Sequence, residues 1–106
     1  MDDYNSHYWI SEASWIQDSS YAFHVVTWNT DQKYIIARND SLNPSEAGLY
    51  SRIDYVELSM EPYTWAFCLT TYDATTAAAA AAHHSADQGN PRTGCSGFPF
   101  TRMRPL

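Results

Sequence analysis

Two cysteines constrain the fold of this chain more than any other residues. Cys68 and Cys95 are the only two in the sequence, and an alanine-rich segment lies between them. A bridge between them would close a long loop and stabilise the fold by roughly 3 to 4 kcal/mol, because it restricts the unfolded chain. Their spacing is too wide for a redox-active Cys-x-x-Cys pair. We predict a structural disulfide, with two buried free thiols as the alternative.

The segment that carries Cys68 has the pattern of a β-strand. Large side chains at positions 63, 65, 67 and 69 alternate with mostly smaller ones at 64, 66, 68 and 70, so the strand has one bulky and one small face. Asp73 fits a helix N-cap, and the alanines that follow have high helix propensity. The sequence predicts one helix over about 74–85 that covers the small face closely, with an alanine-rich linker as the alternative.

The rest of the chain consists of short β-type segments separated by turn residues. Two such runs within 21–38 predict a hairpin, and a further strand is expected over 49–58. The predicted fold class is α+β and mainly β. We expect a single domain over 1–106, an antiparallel meander or partly closed small barrel of about five or six strands with one late helix packed on it.

Charge and hydropathy exclude several classes of partner. The chain has 6 Lys and Arg against 12 Asp and Glu, so it offers no basic face to nucleic acid. No window approaches the roughly 18 apolar residues that span a bilayer. Residues 1–20 lack the order of a signal peptide, yet paired cysteines are typical of exported proteins. We predict an extracellular or cell-surface protein whose signal sequence is not present in this chain, with a cytosolic protein that has free thiols as the alternative.

Aromatic residues are abundant for a domain of this size. The 8 Tyr, 4 Trp and 4 Phe side chains cannot all be buried in 106 residues, so some should form an exposed patch of the kind that binds ligands or partners. We expect a binding or assembly surface from the aromatic residues of the first two-thirds of the chain: Tyr8, Trp9, Trp15, Trp28, Tyr34, Tyr50 and Tyr55. The expected partners are a small hydrophobic or carbohydrate ligand, or copies of the same chain.

Few polar residues form a chemical pattern. Arg52 and Asp54 share one strand face and predict a polar pair, either lining a cavity or exposed as an ion pair. The sequence Asn39-Asp40-Ser41 fits an N-glycosylation site. His83 and His84 would point about 100° apart on a helix and therefore suit no single metal ion. We predict no metal, no cofactor and no catalytic site.

The C-terminal half resembles a family of small, exported, uncharacterised bacterial proteins. The resemblance rests on Tyr72-Asp73-Ala74-Thr75, the alanine-rich helix and the segment Gly94-Cys95-Ser96-Gly97-Phe98-Pro99-Phe100-Thr101. The segments Ile35-Ile36-Ala37-Arg38-Asn39-Asp40 and Ser51-Arg52-Ile53-Asp54-Tyr55 also look like middle motifs of this family, so the resemblance covers roughly residues 21–102. It implies a fold and export, with no activity or catalytic residue to carry over.

These observations predict a non-enzymatic, exported, β-rich module that binds a ligand or partner through an aromatic surface. The alternative is a self-assembling structural subunit of an extracellular fibre or surface layer. In that case, an N-terminal strand would pair between protomers by strand addition.

Overall fold

One antiparallel sheet makes up most of the molecule. The computed structural model describes residues 1–2, 4–18 and 20–105. Seven strands follow one another in sequence order, and each pairs with its neighbour. They are β1 (Tyr8–Ile10), β2 (Ser14–Gln17), β3 (Tyr21–Asn29), β4 (Tyr34–Asn39), β5 (Tyr50–Met60), β6 (Tyr63–Ala74) and β7 (Thr101–Met103), with one helix, α1 (Ala77–Ala81), between β6 and β7. The predicted antiparallel, mainly β fold is confirmed, with one or two strands more than expected.

The sheet curls into a half-barrel. Four strands separate β1 from β6 in the sheet order, yet the rings of Tyr8 and Phe67 lie 5.6 Å apart. The first two residues reach across to β7: Asp2 pairs with Met103, and the Met1 ammonium donates a hydrogen bond to the carbonyl of Arg104 over 3.0 Å. The sheet therefore has a concave face that encloses side chains and a convex face on the outside.

The concave face holds the larger hydrophobic core. Alternation along β5 places Ser51, Ile53 and Tyr55 on this side, as the sequence pattern predicts. The rings of Trp15 and Phe67 meet edge to face at 4.9 Å in the middle of the core. The fully buried members of this core are Trp15, Phe23, Ile35, Ala37, Ile53, Phe67 and Met103.

The convex face is covered by the chain between β6 and β7. Cys68 on β6 is bridged to Cys95 with their Cα atoms 5.6 Å apart, which confirms the predicted disulfide. Cys68 and Ala66 belong to a small second core together with Val56 and Phe100. The loop that carries Cys95 folds back on itself so tightly that a Cβ on Gly94 would lie 2.1 Å from the carbonyl oxygen of Asp87. Glycine is the residue that permits this approach.

The helix is shorter than predicted and begins later. Asp73 and Ala74 belong to β6, where Ala74 pairs with Tyr50, so the expected N-cap at Asp73 is wrong. Strand pairing outweighs the helix propensity of these residues. Thr76 is the actual cap, and its side chain accepts a hydrogen bond from the N–H of Ala79. Loop residues 86–100, rather than the helix, supply the second core's contacts with Ala66 and Cys68.

Within residues 1–2, 4–18 and 20–105, no helix has the length and apolar character needed to cross a membrane.

Candidate functional site: an aromatic cleft

A cleft of about 300 Å³ opens at one end of the concave face. Strand pairing brings its walls together: Ile10 of β1 lies opposite Trp15 of β2, and Trp65 of β6 lies opposite Glu57 of β5. Six of the seven strands therefore contribute to one opening. We call it the aromatic cleft, and its lining is Ile10, Trp15, Trp28, Ile35, Tyr55, Glu57 and Trp65.

A β-bulge in β3 turns Trp28 into the cleft. Val25 pairs with Ala37 but Thr27 pairs with Ile36, so Val26 is an extra residue in this strand. Simple alternation would place Trp28 on the convex face, whereas one inserted residue reverses the face of every side chain that follows. Trp28 consequently lies opposite Ile35, a member of the concave core.

Two of the cleft's aromatic side chains, Trp28 and Tyr55, direct their polar atoms toward each other. The indole N–H of Trp28 donates a hydrogen bond to the hydroxyl of Tyr55 over 3.0 Å, with the two ring centroids 6.4 Å apart. The rings of Trp15 and Trp65 meet nearly at right angles at 5.9 Å. Such edge-to-face pairs hold rings in fixed orientations. The cleft therefore presents hydrocarbon surface to a ligand.

Exposure grades from the floor of the cleft to its rim. Trp15 is 2% exposed and forms the floor, while Trp28 is 37% exposed and forms a wall. The charged residue of the lining, Glu57, is at the rim with its side chain 85% exposed, and its carboxylate is 4.0 Å from the Lys33 ammonium. A ligand in the cleft would meet apolar rings first and this charge only at the edge.

The structure separates the seven aromatic residues predicted to share one surface. Trp15, Trp28 and Tyr55 meet in the aromatic cleft, but the burial of Trp15 corrects its assignment to an exposed surface. Tyr8 packs on the concave core and donates a hydrogen bond from its hydroxyl to Asp2 over 2.9 Å. The other three lie elsewhere. Trp9 is 51% exposed on β1. Tyr34 on β4 lies under the guanidinium of Arg52, and Tyr50 on β5 pairs with Arg38 of β4.

Sequence reasoning missed Trp65, Ile10 and Ile35 as parts of the cleft. Trp65 shares its strand face with Phe67, so the alternation along this strand by itself indicates a core residue. In the structure it is half-buried and reaches the cleft from the edge of the core. Its position near the start of β6 is the signal that could have identified it. Concave side chains close to either terminus of a strand line the mouth of a curled sheet.

Arg52 and Asp54 form a buried pair beneath α1. The guanidinium makes two parallel hydrogen bonds of 3.0 Å to the carboxylate, and the two side chains are 6% and 4% exposed. Arg52 also donates to the carbonyl of Ala81 at the end of the helix over 2.7 Å and lies 4.1 Å above the Tyr34 ring. Thr70 donates to the same carboxylate. This pair anchors the helix to the sheet, and neither residue lines the aromatic cleft.

Asn39 is buried and fully engaged, which corrects its assignment as a glycosylation site. The side chain is 2% exposed, and its amide nitrogen donates to the carbonyls of Glu46 and Tyr72 over 2.8 Å each. Its oxygen accepts a hydrogen bond of 2.6 Å from Ser51. A glycan would replace one of the two hydrogens of this nitrogen and so remove one of these donations, and a buried side chain has no room for it. In the folded protein Asn39 instead fastens the loop after β4 to β6.

An exposed ion pair lies on the uncovered part of the convex face. His24 Nε2 is 2.7 Å from an Asp40 carboxylate oxygen, and the N–H of Leu42 donates to the other oxygen over 2.9 Å. These hydrogen bonds, with the one to His24 the larger cause, hold the pKa of Asp40 below its ordinary value. In the described ranges, no group of three or more His, Cys, Asp or Glu side chains is placed to hold a metal ion.

No protein-family model, curated protein or solved structure matches this chain. The resemblance to exported bacterial proteins therefore stays a prediction, and the proposed function rests on the geometry of the aromatic cleft.

Proposed function

We propose that the protein is an exported binding module that holds a small, flat, apolar ligand in the aromatic cleft. The carrying observation is that three tryptophans and a tyrosine from four strands line one opening of about 300 Å³. This volume is at the lower end of the range for small-molecule sites, which are predominantly apolar and commonly occupy the mouths of β-barrels. The Cys68–Cys95 bridge supports export, since disulfides persist mainly in oxidising compartments.

The lining favours an apolar ligand over a carbohydrate. A sugar needs hydrogen-bonding groups beside an aromatic platform, because its hydroxyls lose water on binding. In the cleft, the Trp28 indole and the Tyr55 hydroxyl already bond to each other, and Glu57 stands at the rim. A carbohydrate fits better in a separate opening of about 400 Å³ at the other end of the concave face, where Tyr21 and Tyr72 lie with Gln17 and Glu46.

Self-assembly has weaker support. The sheet ends in β1 and β7, each three residues long, and Asp2 already pairs with Met103 in β7. Short edge strands disfavour strand addition. Assembly would therefore have to use β1, where Trp9 is half-exposed. Sedimentation of the purified protein tests this directly: a monomer at all concentrations excludes it, and large oligomers would favour it over ligand binding.

The binding test uses the neutral fluorescent probe N-phenyl-1-naphthylamine. We expect the probe to bind with a rise in its own emission and a change in tryptophan emission, since three of the four tryptophans line the cleft. Trp28→Ala should weaken binding about tenfold, because it removes a wall of the cleft and its ring contacts. Trp9→Ala is the matched control, since this tryptophan lies outside the cleft, and should leave affinity unchanged.

Two outcomes would contradict the proposal. One is an absence of probe binding to a folded protein. The other is equal weakening by Trp28→Ala and Trp9→Ala, which would place the probe on general hydrophobic surface. A urea unfolding curve for each variant confirms that it is folded before affinity is compared.

A further inference from the structure

A second opening lies at the end of the concave face opposite the aromatic cleft, and its volume is about 400 Å³. Strand pairing builds it: Gln17 at the end of β2 lies opposite Tyr21 at the start of β3, and Phe23 lies opposite Asn39 at the end of β4. Phe23 is 7% exposed and forms the floor. We call this opening the tyrosine cleft, and the side chains around its floor include Gln17, Tyr21, Ser45, Glu46 and Tyr72.

A β-bulge in β6 turns Tyr72 into the tyrosine cleft. Leu69 and Thr71 pair with two consecutive residues of β5, so Thr70 between them is an extra residue. Simple alternation would place Tyr72 on the convex face, whereas one inserted residue reverses the face of the side chains that follow. Tyr72 therefore lines the same opening as Leu69, and it is 50% exposed. Its ring is available to a ligand.

Two buried asparagines hold the walls of the tyrosine cleft in place. The side-chain oxygen of Asn43 accepts from the N–H of Ala22 over 2.8 Å, and its nitrogen donates to the carbonyl of Ala22 over 2.9 Å. The side-chain nitrogen of Asn39 donates to the carbonyls of Glu46 and Tyr72, which belong to different walls. The loop between β4 and β5 is thus fastened to β3 and β6. A site held in this way loses little conformational freedom when a ligand binds.

The polar side chains around the tyrosine cleft are not used by the protein itself. Within residues 1–2, 4–18 and 20–105, five of the lining side chains make no hydrogen bond or ion pair: Gln17, Tyr21, Ser45, Glu46 and Tyr72. The aromatic cleft differs, because its Trp28 and Tyr55 bond to each other. A ligand of the tyrosine cleft must offer hydrogen-bond partners, since polar groups that lose water without gaining a partner weaken binding.

Charge and polarity together select the class of ligand. No lining residue in the described part of the chain is a lysine, arginine or histidine, so an anion would find no opposite charge. Glu46 is acidic but exposed, so water screens its attraction for a cation. An apolar ligand would remove water from the polar side chains and replace none of their hydrogen bonds. A neutral molecule with several hydroxyl groups and one apolar face fits this lining best.

We propose that the tyrosine cleft binds a neutral sugar with a flat, equatorially substituted ring, such as β-linked glucose. The axial C–H groups of such a ring form an apolar face that packs on the exposed ring of Tyr72. Its hydroxyls donate and accept, as the amide of Gln17 and the hydroxyl of Ser45 do, and they also donate to the carboxylate of Glu46. This site is separate from the aromatic cleft and does not depend on the function proposed for that cleft.

The first test compares cellobiose, choline and glycerol by NMR titration of the isotope-labelled protein. We expect cellobiose to cause saturable shifts in the amides of residues 21–23, 43–46 and 69–72, and to bind at least about tenfold more tightly than choline. Glycerol has hydroxyls without a flat face and should cause no saturable shift. Choline binding as tightly as cellobiose would overturn the proposal, as would cellobiose shifts confined to the aromatic cleft or absent from the folded protein.

The second test removes the ring on which the sugar packs. Tyr72→Ala should weaken cellobiose binding about tenfold, because the apolar contact is lost. Tyr72→Phe keeps the ring and should retain most of the affinity. Tyr4→Ala is the matched control, since Tyr4 is 75% exposed and lies outside the tyrosine cleft. Equal losses in Tyr72→Ala and Tyr4→Ala would contradict a site at this opening.

The third test removes one polar group and keeps its bulk. Gln17→Leu should weaken cellobiose binding about fivefold, because one neutral hydrogen bond is lost. Gln32→Leu makes the same change at an exposed residue between β3 and β4, outside the tyrosine cleft, and should leave the affinity unchanged. Unchanged or tighter binding by Gln17→Leu would mean that the rings alone hold the ligand, which contradicts selection of a sugar.

A cross-check separates this proposal from the one for the aromatic cleft. Tyr72→Ala should leave binding of N-phenyl-1-naphthylamine unchanged, because Tyr72 does not line the aromatic cleft. A protein that binds this probe but not cellobiose would overturn the sugar site and leave the proposed function intact. A protein that binds cellobiose but not the probe would do the reverse.

Discussion

The concave and convex faces of the sheet are buried in different ways. On the concave face, the strands fill the space with their own large rings, and Trp15, Phe67 and Tyr8 meet within 6 Å of one another. On the convex face, β6 presents small residues, and a separate segment is fastened over them by a disulfide and an arginine–carboxylate pair. One face is held by packing, and the other is held by a few specific bonds.

This difference explains where two of the openings lie. The concave rings fill the middle of the half-barrel and leave the aromatic cleft at its end. The convex cover leaves a groove beside Ala66, between Leu58 and Met60 of β5 and Phe100 of the covering loop. A packed face yields an apolar cleft between rings, whereas a covered face yields a groove with mixed apolar and charged lining.

The largest effect is expected from the concave core. Trp15→Ala should lower the free energy of unfolding by an amount near the upper end of about 3–5 kcal/mol, because a large buried ring leaves a cavity. Trp9→Ala, half-exposed on the same hairpin, should cost less than about 1 kcal/mol. Urea unfolding of the two variants measures both. Equal losses would show that the concave rings do not dominate this face.

The second-largest loss of stability is expected at the buried pair Arg52 and Asp54 on the convex face. Asp54→Ala leaves Arg52 buried without its carboxylate and should cost about 3–4 kcal/mol. The double variant Arg52→Met with Asp54→Leu should be more stable than Asp54→Ala alone, because no uncompensated charge remains. Chemical denaturation of the three proteins gives the comparison. A double variant less stable than Asp54→Ala would mean that the bond from Arg52 to the helix carbonyl matters more than the charge.

Removing the disulfide should have a somewhat smaller effect. Replacing Cys68 and Cys95 with alanine should cost about 3 kcal/mol, mainly because the unfolded chain regains the freedom of the closed loop. Hydrogen exchange should rise first at residues 86–100, which the bridge holds against β6. Uniform exchange throughout the sheet would instead indicate that both faces unfold as one unit.

The smallest effect is expected at the exposed pair on the uncovered part of the convex face. The pKa of Asp40 is lower in the folded protein than in the unfolded chain, so the folded state binds fewer protons as Asp40 titrates. Its stabilisation is fully present above the unfolded pKa and is lost as the pH falls through the folded pKa. Asp40→Asn should remove this part of the acid dependence, measured by unfolding across the titration range. If the free energy of unfolding of Asp40→Asn falls with decreasing pH as it does in the unsubstituted protein, the pair does not stabilise the fold.

Much of the convex side follows from local sequence. The alternation on β5 and β6 identified which residues share a face, and the small side chains at Ala66 and Cys68 correctly indicated a close cover. The disulfide partners were predictable because the chain has only two cysteines. The helix bounds were not predictable. Asp73 and Ala74 are compatible locally with either a helix or a strand, and pairing with β5 places them in β6.

The concave site depends on structure that no local pattern shows. Trp15 and Trp9 are both tryptophans in short strands near the N-terminus, but they lie on opposite faces of the β1–β2 hairpin. The curl of the sheet encloses the face with Trp15 and leaves Trp9 half-exposed. The burial of Asn39 also depends on tertiary structure. Its triplet matches a glycosylation site, but its side-chain amide donates a hydrogen bond to the carbonyl of Tyr72 on β6, far away in sequence.

The sequence by itself determined the mainly β class, the strand faces of β5 and β6, and the bridge between Cys68 and Cys95. These depend on the two-residue period of a strand and on the number of cysteines, both of which are local properties. Tertiary structure decided the aromatic cleft. A single extra residue at Val26 reverses the face of Trp28, and the curl of the sheet then brings Trp28, Tyr55 and Trp65 to one opening. Bulge position and sheet curvature arise from strand pairing over long sequence distances, which is why the site emerges only in the folded chain.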